Sequence, residues 1–221
     1  MYVIRRALGT DLAACRRLWA TRAAWARGRG TDLHVVSLTD AECAASEVFV
    51  LCAEGGQIVG AVAAIDQLPG LGWTDAEGQQ EAVGLGAMVT DPLYPSVPLS
   101  WVLAYWAEDR AARTGRKWVR AVVPSERLAH HWEVACGWQR VRTRLHDGVE
   151  SVLVQRRAGH NDGIGALMED RTADDRQEDA LSARDLVRIA AETQRPVAPI
   201  RPPGPARRMR DNGGAGSRAG W

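Results

Sequence analysis

Phenylalanine is almost missing from this chain, which has one Phe and three Tyr against nine Trp. Aromatic surface is therefore carried by indoles, which belong in a core or along a ligand cleft. Cysteine is scarce as well. Cys15, Cys43, Cys52 and Cys136 lie far apart with no CxxC and no paired His, which argues against a zinc site and a disulfide framework and reads as buried thiols in a reducing compartment. His34, His146 and His160 have no partner at metal-ligand spacing, so no metal is expected. No apolar run approaches the ~20 residues that span a bilayer. The opening MYVIRRALGTD has two arginines where a signal peptide would be apolar, so a cytoplasmic protein without a membrane partner is expected. An excess of charge is missing too: the formal net charge is +1, and no global field attracts nucleic acid.

What is present has the proportions of a globular protein, with 46% hydrophobic and 25% charged residues over a length of 221. YVIRRA at residues 2–7 reads as a first strand. Thr10 then reads as an N-cap, before a helix with Leu12, Cys15, Leu18, Trp19, Ala23 and Ala26 inward and Arg16, Arg17, Arg22 and Arg27 on a solvated face. Thr39-Asp40-Ala41-Glu42 opens a short helix. Val48 to Ala53 and Gln57 to Ile65 form a hairpin over Gly55 and Gly56. KWVRAVVP is a buried strand, Ser125 caps a helix that stops at Gly137, and WQRVRTRL with ESVLVQRR closes a terminal hairpin around Asp147 and Gly148.

The fold class is therefore α/β, a mixed central sheet of about seven strands flanked by about four helices, with no internal repeat. Composition changes at Ala158. Residues 1–157 read as the domain, and 158–221 read as a low-complexity, largely disordered tail with one short amphipathic helix near 180–193, carrying Leu181, Leu186, Val187 and Ala190. The arginines between Arg195 and Arg218 lack aromatic interleaving, so nucleic acid is not an expected partner.

The chain is organised around Glu81 to Asp109. Ala82, Val83, Leu85, Ala87, Met88 and Val89 form a strand with Gly84 and Gly86 inside it, where glycine would let a ligand approach the backbone. A turn follows, and then Leu99, Val102, Leu103, Trp106 and Ala107 recur at helical spacing. A helix that starts after a strand gathers unpaired N–H groups in one place, which favours an anion.

Together with the element order, VTDPLYPSVPLSWVLAYWAEDRAARTGRKWVRAVV and SERLAHHWEVACGWQRV resemble the GNAT superfamily of N-acetyltransferases, over about Tyr2 to Arg157. Val89, Asp91, Pro92, Tyr94, Leu99 and Leu103 fit the family's strand–turn–helix motif. Ala107, Glu108, Ala111 or Ala112, and Gly115 fit its helix end, and Glu133, Gly137 and Trp138 fit a later signature.

The resemblance implies transfer of an acetyl group from acetyl-CoA, as co-substrate and without a metal, to a primary amine of a small-molecule or protein acceptor, with a homodimer as a further implication. It implies pantetheine on Met88, Val89 and Thr90, pyrophosphate on Ser96, Val97, Leu99, Ser100 and Trp101, and an oxyanion donor near Ala87 or Met88. The chain departs from the family in two places. Pro95 and Pro98 remove two N–H groups from the phosphate loop. Trp132 stands where a general-acid tyrosine is usual and cannot donate a proton at neutral pH, although it can pack on pantetheine. The candidate substitute acids are His131, Cys136 or a water, and Glu81 is the nearest candidate base. Asp66, Asp75 and Glu77 are available to a cationic amine. The alternative is a GNAT-fold binding or regulatory module without catalysis, which the two departures favour.

Overall fold

The computed structural model describes residues 1–31, 38–66, 72–94, 98–146, 149–172 and 179–194. Its centre is an eight-stranded sheet of order β6-β7-β5-β4-β3-β2-β1-β8. The strands are β1 Tyr2–Arg6, β2 Ser46–Cys52, β3 Ile58–Ile65, β4 Ala82–Thr90, β5 Trp118–Val123, β6 Gln139–His146, β7 Val149–Arg157 and β8 Met168–Asp170. The helices are α1 Leu12–Arg27, α2 Asp40–Ala44, α3 Asp75–Gly78, α4 Leu99–Arg113, α5 Glu126–Cys136, α6 Ile164–Leu167 and α7 Ala183–Gln194. The seven strands expected from the sequence are all present. Pairing is antiparallel except between β4 and β5 and between β1 and β8.

Helix boundaries follow local chemistry. Ser125 caps α5, its Oγ accepting from the Leu128 N–H, and Gly137 ends it in the left-handed conformation at φ 66°. Thr39 and Glu42 close a capping box on α2. Thr10 does not cap α1. It lies in a 3-10 turn, and the N-cap position falls on Asp11, whose carboxylate is taken up by the Leu8 N–H and the Arg5 guanidinium.

The sheet carries two cores. On one face α4 and α5 cover Ile4, Phe49, Leu51, Val62, Val119 and Val154. On the other, α1 and α7 bury Val48, Val50, Ala61, Ala63, Ala87 and Val89.

Packing does not stop at Arg157. β8 pairs in parallel with β1, and its Asp170 receives Trp106 Nε1–H at 3.2 Å and the Arg113 guanidinium. Leu181, Leu186, Ile189 and Ala190 of the α7 segment are buried against Cys15, Leu18 and Trp19 of α1. Described residues beyond the boundary expected at Arg157, among them β8 and α7, thus pack against β1 and α1. The physical reason is that α1 and its sheet face offer an apolar surface on which Leu181, just before α7, and Leu186 and Ile189 of α7 are buried, although the surrounding composition is poor in such residues.

Candidate functional site

β4 is held unequally by its neighbours. It pairs with β5 only from Ala82 to Leu85, opposite Trp118 to Ala121, while its pairing with β3 continues to Thr90. Beyond Leu85 the two parallel strands part, so backbone N–H and C=O groups on that side of β4 face a gap instead of a strand. Opposite Val62 the register slips, so that Ala61 pairs with Val89 but Ala63 with Gly86. The extra residue forms a β-bulge. Ala87 sits in it at φ 45°, alone among the described non-glycine residues in having a positive φ, a conformation that costs about 1–3 kcal/mol. A Cβ on Gly86 would stand 3.1 Å from Leu38 Cδ2, so glycine lets that side chain lie close over the bulge.

The gap opens into a cavity of about 670 Å³. Its floor is Leu85–Thr90 of β4 and Ala121–Pro124 at the end of β5. On the α4/α5 face its wall is Ser100, Ser125, Arg127, Leu128, His131 and Trp132. On the α1 face it is Trp19, Arg22, Trp25, Ala26, Arg29 and Leu38, with Thr31. The cavity thus joins both faces of the sheet through the place where its strands part.

Met88, Val89, Thr90, Ser100, His131 and Trp132, all singled out in the sequence, are brought together on this wall. Trp132 is 4% exposed and is held edge-on by Trp138 at 4.5 Å, and His131 is exposed at the rim. Leu99 opens α4 after Pro98 but turns its side chain into the core. Trp101 is not on the wall, and its backbone N–H is consumed by the Pro98 carbonyl at 2.8 Å. Ser96 and Val97 lie outside the described residues.

Two expected catalytic groups are elsewhere. Glu81 precedes β4 at the end remote from the bulge, roughly 20 Å away along extended chain. It pairs with Lys117 Nζ at 2.8 Å, which holds its carboxyl below the ordinary value. Cys136 is buried beside Glu108 and Arg156, and burial, aided by the Glu108 charge, pushes its thiol up to about 11. Neither touches the cavity. The loop carboxylates are also apart from it. Glu77 bonds Arg142 at 2.9 Å, Asp66 is 69% exposed near Arg116, and Asp75 opens α3 at the surface.

The sequence reading missed Arg22, Trp25, Arg29 and Arg127. Arg22, expected on a solvated face, is half-buried on the cavity wall. A signal existed: 19, 22, 26 and 29 recur at i, i+3, i+7 and i+10, and α1 contains no carboxylate anywhere. The cavity wall likewise includes no Asp or Glu among the described residues.

No protein-family model matches the sequence, and no curated protein matches it either. Solved structures do match. The chain is similar to a GNAT-family acetyltransferase from Listeria monocytogenes, at 18% identity over 71% of this chain and 94% of that one, with a TM-score of 0.54. It is similar to the aminoglycoside acetyltransferase AAC(6')-Ib in complex with coenzyme A, at 15% identity over 71% and 95%, with a TM-score of 0.53. It is also similar to spermidine N-acetyltransferase SpeG from Vibrio cholerae, at 12% identity over 71% and 94%, with a TM-score of 0.51. The chain has the fold of the GNAT superfamily of N-acetyltransferases.

Proposed function

We propose that this chain is an N-acetyltransferase that moves the acetyl group of acetyl-CoA onto a primary amine of a small acceptor. The observation that carries the reading is the cavity passing through the sheet where β4 and β5 part, beside the bulge at Ala87. Such a passage lets two molecules enter from opposite faces and meet in line, which supplies most of the advantage in a two-substrate transfer. A relative of the same fold was crystallised with coenzyme A, and the residues here fit that co-substrate. The unpaired edge of β4 at Met88, Val89 and Thr90 suits the amide groups of pantetheine, as an added strand would. Trp132 gives that arm an apolar wall. The first-turn N–H groups of Leu99 and Ser100 have no intrahelical acceptor and suit a phosphate, and Arg127 adds a cation on the same side.

In the transfer, the acceptor nitrogen bonds to the thioester carbon, the carbon–sulfur bond breaks, sulfur leaves with the electron pair and takes up a proton, and nitrogen gives up its proton to water. Charge developing on the thioester oxygen is met by a backbone N–H at Ala87 or Met88, held in place by the bulge. His131 is the proton donor to the departing sulfur, because it is the titratable side chain on the wall beside Trp132, and Cys136 is not there. Among the described residues, no carboxylate on the cavity wall stands in for Glu81. Deprotonation of the amine is assisted instead by the positive charge of the α1 wall, which disfavours an ammonium.

The test is thiol release from acetyl-CoA by the full chain with a panel of small primary amines, with product mass as the second readout. Amine-dependent release with a mass gain of one acetyl group supports the assignment. A protein that binds acetyl-CoA and releases no thiol with any amine overturns it in favour of a binding module.

A further inference from the structure

The α1 wall carries charge that nothing in the described protein balances. Arg22 and Arg29 both sit over the Trp25 ring, their guanidinium carbons 4.7 and 3.9 Å from its centroid. Both line the cavity. Elsewhere arginines half-buried like Arg22 hold carboxylates: Arg5 takes Asp11, Arg110 takes Glu47, Arg142 takes Glu77 and Arg156 takes Glu108, while Arg29 is exposed. Arg22 and Arg29 have no carboxylate partner among the described residues. Burial and then the Arg29 charge hold the Arg22 guanidinium below its ordinary value. That is the direction expected when two like charges share a partly desolvated site. The stacking on Trp25 fixes both forks toward one side of α1 at little further entropic cost.

Among the described residues, an ammonium-rich acceptor would meet two guanidiniums and no carboxylate there. An acceptor with an anion of its own would relieve their repulsion and gain bidentate, charge-assisted hydrogen bonds. On the acetyltransferase reading given above, we infer that the acceptor is a small amine that also bears an anionic group, a carboxylate or a phosphate, held by Arg22 and Arg29 on the α1 side of the cavity. The amine is then directed through the gap toward Ala87. Trp19 and Trp25 flank the acceptor's body, and size is limited by a cavity of about 670 Å³ that both substrates share. Spermidine, the substrate named for one structural neighbour, is the opposite kind of molecule and serves as the contrasting probe.

The experiment has two readouts. Turnover is measured with the L-amino acids, with their carboxamides, with phosphoethanolamine and with spermidine, using wild type and the Arg22→Gln/Arg29→Gln double variant. Binding of the same probes to the CoA-loaded protein is measured by calorimetry. The expected result is kcat/KM at least about 10-fold higher for the anionic member of each matched pair, with the preference lost in the double variant through KM. Amino acids and phosphoethanolamine separate the carboxylate from the phosphate. Preference for the carboxamides or spermidine, or a preference that survives in the double variant, overturns the inference while leaving acetyl transfer standing. Conversely, anionic probes that bind the CoA-loaded wild type and not the double variant, without turnover, support the anion site and sink the enzymatic reading.

Discussion

At the scale of single residues, Ala87 is the position where backbone strain and the proposed chemistry coincide. An alanine at φ 45° is tolerated because the bulge and the core beneath it leave the backbone no alternative. Ala87→Val adds a β-branch to that conformation and should cost about 1–3 kcal/mol, visible as a lower urea midpoint, whereas Ala87→Gly should hold or raise the midpoint. Equal effects of the two substitutions would show that the strain is not there. His131→Ala should lower kcat by about 10²-fold with KM for acetyl-CoA little changed; an unchanged kcat would assign the proton to water.

Glu108 makes a pH prediction outside the cleft. It is 5% exposed with Oε1 unpartnered, and burial raises its carboxyl to about 7 although Arg156 lies 3.1 Å from Oε2. The folded state therefore keeps a proton that the unfolded chain has lost above its ordinary value near 4.5. Glu108 costs nothing below that value and costs stability progressively as pH rises through about 7, on the order of 3 kcal/mol in full. Glu108→Gln should flatten the fall in stability between pH 5 and 8, and a slope equal to that of wild type would contradict this.

At the scale of elements, the sequence was informative wherever a residue type acts locally. Ser125, Gly137, Gly115 and Thr39 mark helix ends through hydrogen bonds within a few residues, and alternation or apolar runs reveal strands through the side chain's own direction. It was silent where position depends on distant pairing. Nothing in EAVGLGAMV says that β4 loses β5 after Leu85, so Glu81 looked close to the chemistry and is in fact at the other end of the strand. Met168–Asp170 and α7 were hidden for the same reason, since their partners, β1 and α1, are more than a hundred residues earlier. The helical stripe of α7 was visible; the face waiting for it was not. Burying Leu181, Leu186 and Ile189 is worth about 1.5–3 kcal/mol each, a large share of a typical stability. A chain ending after Thr172 should lose cooperative unfolding, while one ending after Gln194 should keep it. A cooperative Thr172-terminated protein would show that α7 is dispensable.

For the whole molecule, the two-sided architecture is the main consequence of the fold. The sheet separates one core under α4 and α5 from another under α1 and α7, and the parting of β4 from β5 is the passage between them. Each face contributes a different chemistry. One offers a free strand edge, a helix start and Trp132, while the other offers indoles and a pair of guanidiniums. Pro98 at the helix start weakens the phosphate cradle without emptying it, because a proline before the first turn removes an N–H that the helix can spare. Whether this face takes the nucleotide thioester is therefore the central question. The most direct measurement is calorimetry of acetyl-CoA with the full chain, beside CoA and the Ser100→Tyr variant, which places a bulky ring on the cavity wall. Binding in the micromolar range, weakened at least 10-fold in Ser100→Tyr, is the predicted result. No detectable binding up to millimolar acetyl-CoA, or equal affinity in the variant, would contradict the placement of the co-substrate on α4 and β4.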